Sequence, residues 1–182
     1  MLGGEGLLAG HVMSENTPLS EQDQALLDGE ALLRDLLEQA RKVRSVAERH
    51  IKGEATSLTS VTSAPWRNQM AEMASAHLAE GNKVKSFMGV LTQTHLAQGE
   101  TRGERLGFWN KRMLPQVFKW DDEKKRILLS ELDETDVYAA ASNFIADELG
   151  LESVVIVRGD SQEDATGKAG VAMPLSPAFV YA

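Results

Sequence analysis

From Glu21 to about Arg49, apolar residues recur every three or four positions. Leu33, Leu36, Leu37, Ala40, Val43 and Ala47 share one face, and Arg34, Glu38, Arg41, Lys42 and Glu48 the opposite one. That period predicts a long amphipathic helix. Ser20 before it suits an N-cap, with Asp23 three residues on as a weak capping box. Gly29 is a soft spot for a kink or restart, and Lys52-Gly53 closes the helix. Thr56 to Ala64 is rich in β-branched and hydroxyl residues and predicts a strand. Pro65 then suits the first turn of a helix carrying Trp66, Met70, Met73, Ala74 and His77 on one side.

The pattern continues as helix from about Asn82 to His95, with Val84, Phe87, Met88 and Leu91 inward. His77-Leu-Ala-Glu-Gly81 and His95-Leu-Ala-Gln-Gly99 read as one helix-stop signal used twice, a histidine in the last turn and a glycine past it. Arg102 to Lys119 predicts a further helix, with Leu106, Trp109, Met113 and Val117 inward, kinked or ended near Leu114 by Pro115. Trp120 to Lys125 reads as a polar turn. Asp133 suits an N-cap with Asp136 at N3; Val137, Ala141, Phe144, Ile145 and Leu149 mark the next helix, and Gly150 caps it. Ser153 to Arg158 is a continuous apolar run, a strand of buried type. Gly159 to Gly167 is an acidic loop. Pro174 and Pro177 forbid a helix or central strand across the final stretch, which predicts a strand, a rigid extended bend and a last strand, Ala178 to Tyr181. An apolar end of this kind is expected to dock on its own domain.

The fold class is therefore α+β or α/β: a helical segment followed by a small α/β domain with a short mixed sheet and several helices. The divisions are an irregular stretch 1–18, a helix in 19–54 and a domain over 55–182. The 182 residues are enough for one domain with a real core, and 42% apolar with 25% charged residues is ordinary for a globular chain. The first residues lack a basic region, and Glu5 breaks their apolar run, so neither a leader nor a membrane span is expected. They resemble a cut inside a longer chain, and the expected location is the cytoplasm.

Chemistry-bearing patterns are few. There is no cysteine, and His11, His50, His77 and His95 form no zinc-binding spacing. No phosphate-loop, dinucleotide or serine-nucleophile motif is present. Gly99, Gly103 and Gly107 read as loose packing, Arg158-Gly-Asp160 as a chance tripeptide, and the acids Asp160, Glu163 and Asp164 as a solvated turn. No active site, metal or cofactor is expected in this chain. The net charge of -8 gives no general attraction to nucleic acid or an anionic membrane. The charge is uneven, however. Arg102 to Lys119 holds five bases and one acid, Lys83 and Lys85 precede it, and Glu131 to Asp164 holds ten acids against Arg158. That basic segment is either an ordinary solvated face or a phosphate-contacting one.

Asp164-Ala-Thr-Gly167-Lys168-Ala169, then Ala172-Met-Pro174-Leu-Ser-Pro177-Ala178 and an apolar ending, resembles the C-terminal end of archaeal and eukaryotic-type leucyl-tRNA synthetases. That family ends in D-P-x-G-K-A, A-x-P-[GL]-K-P-A and a short apolar strand. Phe144 to Gly150 followed by Val154 to Val157 is similar to the segment before it. Ala64-Pro65-Trp66-Arg67 resembles the family's A-P-x-W-K, one residue shorter. The helix from Asp28 to Ile51 resembles the last helix of the anticodon-binding bundle. Ser176 departs from the usual lysine, Ala165 from proline, and Ala182 from a terminal acid.

The resemblance implies a tRNA-recognition part of a leucine–tRNA ligase. Phe179, Val180, Tyr181 and Ala182 would lie at the long variable arm of leucine tRNA, and Lys168 would order its loop or reach phosphate. Lys111 and Arg112 join these on charge alone. The family's ATP- and magnesium-dependent chemistry belongs to HIGH and KMSKS motifs, and its editing to another domain, all absent here. Expected partners are leucine tRNA and the remainder of the synthetase, with no membrane. The alternatives are a stand-alone RNA-binding module and a protein-interaction domain with no RNA role.

Overall fold

The computed structural model describes residues 17–161 and 164–182. The predicted irregular stretch 1–18, with His11, lies almost wholly outside them, as does Glu163 of the acidic loop. Helix α1 (Glu21–Ile51) is capped by Ser20, whose hydroxyl accepts from the Asp23 amide at 3.1 Å. It runs through Gly29 without the predicted break, because Ala31, Leu32, Leu36, Leu37 and Ala40 anchor it in the core. Its buried face is turned from the predicted one: Leu33 is half-buried and Val43 is exposed. Lys52, not Gly53, takes the left-handed closing position, with φ of 55°.

Three strands follow the predicted places: β1 (Ser57–Thr62), β2 (Ser153–Arg158) and β3 (Ala178–Tyr181). Their order is β2-β1-β3, with β1 parallel to β2 and antiparallel to β3. The parallel pair needs a long crossover, and every helix after α1 lies in it. One sheet face carries Leu58, Val154, Ile156, Phe179 and Tyr181 onto α1 and the helices α7 (Glu134–Ala140) and α8 (Ser142–Leu149), with Tyr138, Ile145 and Leu149 between them. Val155, Thr59 and Val180 form one row on the other face. β2 is thus a half-buried edge strand with Val155 53% exposed, not the expected strand buried along its length; on the Val155 face only the end at Val157, beside Val61 on β1, is covered.

A second core joins α2 (Pro65–Ala79) to a run of short helices. It holds Met70, Ala74, Phe87, Leu91, Trp109, Met113 and Trp120, with the Phe87 and Trp109 rings 4.5 Å apart. The predicted helix from Asn82 to His95 is broken into a 3-10 turn and α3 (Phe87–Leu91). His77 and Gly81 (φ 84°) do close α2, but exposed His95 opens a 3-10 turn and only Gly99 (φ 62°) repeats the signal. The helix predicted at Arg102 becomes α4 (Arg102–Phe108), a π turn (Trp109–Met113) and α5 (Leu114–Val117). Leu114 bonds back five residues to Trp109 at the end of the π turn. Widening the helix there relieves the clash that Pro115 would make with the preceding turn.

The segment read as a polar turn after Trp120 is instead the start of α6 (Asp122–Leu129), capped by the Asp121 side chain. Its first-turn acids, Asp122 and Glu123, suit a helix N-terminus and disguised it as a loop. Asp133 caps α7 as expected, and Ala141 (φ -100°) separates α7 from α8. The whole is an α+β fold with a short mixed sheet. No helix among the described residues is long and apolar enough to cross a membrane.

Candidate nucleic-acid interface

The terminal motif folds as one continuous clasp. Asp164 accepts from the amides of Thr166 (2.9 Å) and Ala169 (3.2 Å) and from the Thr166 hydroxyl. The Thr166 hydroxyl and the surrounding amides hold the Asp164 carboxyl below its usual pKa. Gly167, at φ 68°, supplies the left-handed step that turns the chain back. Lys168 stands exposed on this loop.

Arginines from elsewhere in the chain collect the carbonyls that follow. Arg67 donates through one terminal nitrogen to Ala169 (2.9 Å), Gly170 (3.3 Å) and Ala172 (2.7 Å). Arg112 donates to Val171 at 3.2 Å. Arg112, predicted as a phosphate contact, therefore already serves the tail with one edge of its guanidinium. Lys111 is exposed in the adjoining π turn.

No strand forms before Pro174, contrary to expectation. A tight turn takes its place: Ser176 donates to Met173 at 2.8 Å and Met173 to Ser176 at 3.0 Å, around Pro174-Leu175. Leu175 has φ of 58°, a conformation that favours glycine, so its neighbours must hold it. Glu134 accepts from the Leu175 amide at 3.0 Å, and Gln39 donates to the Leu175 carbonyl at 3.4 Å. Ser176 donates to the Gln39 oxygen at 3.0 Å. Pro174 and Pro177 are both buried.

β3 then runs along the sheet edge. Ala182 and Ser57 exchange both main-chain bonds (2.9 and 3.1 Å), and Ala182 also accepts from Thr56 at 2.8 Å. By the alternation of an antiparallel ladder, the main-chain groups of Phe179 and Tyr181 point away from β1, toward the free edge. Their side chains turn inward. Phe179 packs on the first core, and Tyr181 is 5% exposed with its hydroxyl bonded to Ala40. Val180 lies on the other face, and Ala182 is exposed with its backbone already paired. Of the four predicted tail contacts, Tyr181 can therefore offer only backbone, and Ala182 only its methyl face.

Beside the clasp lies an arginine and aromatic cluster. The Arg105 guanidinium stacks 3.8 Å from the centre of the Trp66 ring. Arg67 sits 4.5 Å from the Phe108 ring centre and 5.1 Å from that of Trp66, while the two rings meet edge to face at 4.9 Å. Burial, followed by the charge of Arg112 and, more weakly, of Arg105, lowers the Arg67 pKa from its ordinary value. Arg67 was visible in the sequence only as part of Ala64-Pro65-Trp66-Arg67. Arg105 was one of five bases in a segment, and Glu134 and Gln39 carried no signal at all.

The remaining candidates lie elsewhere. His77 meets Ser86 at 2.7 Å, and His50 the Val46 carbonyl at 2.8 Å, both at helix ends. Arg158 of the Arg-Gly-Asp tripeptide is paired to Asp133 at 2.9 Å. Among the described residues, no group of three or more His, Cys, Asp or Glu side chains is placed to hold a metal ion. Compared with family models and with curated proteins, the chain matches none.

Proposed function

We propose that this chain is the C-terminal tRNA-recognition part of a leucyl-tRNA synthetase, acting in the cytoplasm and contacting the long variable arm of leucine tRNA. Chemistry and editing would reside in domains outside this chain. The observation that carries the reading is the clasp from Asp164 to Ala182. The motif residues that carry the resemblance have parts in it: Asp164 and Gly167 close the loop, Pro174 and Leu175 make the turn, and β3 ends on an open edge. The family pattern allows glycine or leucine at 175, and that position has positive φ here.

The free main-chain groups of Phe179 and Tyr181, with exposed Lys168 on the clasp loop and exposed Lys111 in the basic segment, suit recognition of unpaired bases and phosphate. With a net charge of -8, most affinity would come from the enzyme body and selectivity from this part. A second reading, a protein-interaction domain without an RNA role, is favoured by Leu26, Val46 and Phe144, which α1 and α8 leave 64%, 45% and 49% exposed. A fragment resting on an enzyme body would leave the same side chains bare.

The test is a salt titration of binding to leucine tRNA beside the same tRNA with its variable arm trimmed. The proposal expects binding that weakens with salt and drops for the trimmed tRNA. Equal binding to both would remove variable-arm recognition. No binding to either at low salt would mean that this part binds only with the enzyme body, or that the interaction domain is the right reading.

A further inference from the structure

We propose that Arg67, Arg105 and Arg112, with the Trp66 ring beneath Arg105, form a binding site for a phosphate group. The site rests on its own geometry and not on the synthetase reading. Three guanidiniums converge, and among the described residues Glu104 is the one carboxylate whose charge bears on Arg67 there. In a chain of net charge -8, such a concentration of positive charge calls for a local counter-charge.

The donors point the same way. Arg67 satisfies one terminal nitrogen three times over, yet its Nε–H is sheltered from solvent with no acceptor. Arg105 has neither Nε nor Nη1 bonded, and both are sheltered, so Nη2 of Arg105 and Nη2 of Arg67, unbonded and not sheltered, are the donors that a ligand reaches. Trp66 offers only a π face, which attracts the cation but leaves the in-plane N–H groups unserved. Arg112 uses Nη2 on Val171 and is otherwise exposed, so it can close over a ligand from the solvent side.

These side chains are also held in advance. Tail carbonyls and Phe108 fix Arg67, and stacking fixes Arg105. Ordering them on binding therefore costs little. Guanidinium forks match the several acceptor oxygens of a phosphate better than the two of a carboxylate, and phosphate brings more charge to neutralise three cations. A phosphodiester of RNA and a free phosphate share this chemistry.

The experiment follows the Arg Nε–H and Trp indole signals of the full chain by nitrogen-15 NMR. One arm adds inorganic phosphate, one a dinucleotide RNA with a single phosphodiester, and one sodium chloride at matched ionic strength. Saturable shifts of the Arg67 and Arg105 signals with either phosphate ligand are expected. Arg105→Met, which keeps a long side chain in contact with Trp66 but no charge, should weaken binding about tenfold, and Arg105→Lys less. The wild-type signals alone decide the matter if a variant fails to fold. Shifts no larger with phosphate than with chloride would overturn the site. Saturation by inorganic phosphate but not by the dinucleotide would keep it as a small-phosphate site and remove it from RNA contact. Saturation here alongside failure of the tRNA titration would leave this site standing without the tRNA reading's support.

Discussion

The Tyr181 hydroxyl donates to the Ala40 carbonyl at 2.7 Å, tying the last strand to the middle of the longest helix. The apolar end is thus docked by a buried polar contact as well as by packing. Tyr181→Phe should cost about 1 kcal/mol, the usual worth of one such bond. Tyr181→Ala should cost about 3–5 kcal/mol, because it also leaves a cavity between α1 and β1. Urea unfolding measures both. Amide exchange supplies a local check, since Thr56 and Ser57 donate to Ala182 and should lose protection in Tyr181→Ala.

Glu134 is 2% exposed and holds the Leu175 amide, yet its Oε1 has no partner. Burial pushes its pKa up to about 7 against the ordinary 4.5, and the Leu175 and Ser63 amides only partly offset this. Asp133, its neighbour in the chain, adds to the rise and Lys124 on α6 opposes it. The folded state therefore binds more protons than the unfolded chain between those two values. Stability from this group is full below about pH 4.5 and falls as pH rises to about 7, by on the order of 3 kcal/mol. Glu134→Gln should remove that slope and stabilise the protein at pH 8. Its new N–H₂ would enter a cavity of about 80 Å³ that Asn68 also lines, and the Asn68 oxygen is itself unpaired. Denaturation at pH 5 and pH 8 tests this; an unchanged slope in the variant would assign the pH dependence elsewhere.

Local signals carried the sequence reading where one residue decides one feature. Ser20, Asp133 and Gly150 each mark a helix end by their own chemistry, and all three serve as read. Val155 misled because a β-branched run looks the same whether its second face is covered along its whole length or, as here, only at the Val157 end; tertiary packing alone decides it. The charge run Asp122-Glu123-Lys124-Lys125 is likewise ambiguous, and α6 is a helix only because Ile127 reaches the core and Arg126 finds Asp28. The clasp was half legible. Its motif residues stand out in the chain, but Arg67 and Glu134 reach it across 105 and 41 positions, distances that no local pattern encodes.

Gly159 ends β2 where the chain passes close to the end of β1. A Cβ there would lie 2.7 Å from the Thr62 carbonyl oxygen and 3.2 Å from the Ala64 nitrogen, both backbone atoms that cannot swing aside. Gly159→Ala should therefore destabilise by about 1–3 kcal/mol, as overpacking does. Gly103→Ala, with open space around it inside α4, should be neutral or slightly stabilising. Melting temperatures of the two variants, measured side by side, separate a steric requirement from a general dislike of glycine replacement.

Asp28 is buried in α1 with its side chain 3% exposed, whereas its partner Arg126 on α6 is 44% exposed. Gln24 adds a bond at 2.9 Å to the same carboxylate oxygen. The two ends of this ion pair are therefore unequal. Arg126→Met strands a buried charge with one neutral partner, and should cost about 3 kcal/mol. Asp28→Asn leaves Arg126 free to turn into water and keeps an acceptor for Gln24, so its cost should be about 1 kcal/mol. The nearby exposed pair Arg34–Glu123, at 2.9 Å, joins the same two helices and should contribute under about 1 kcal/mol. Chemical denaturation of Arg126→Met, Asp28→Asn and Arg34→Met orders them; a larger loss in Asp28→Asn than in Arg126→Met would mean that the carboxylate stabilises the fold through contacts other than the ion pair with Arg126.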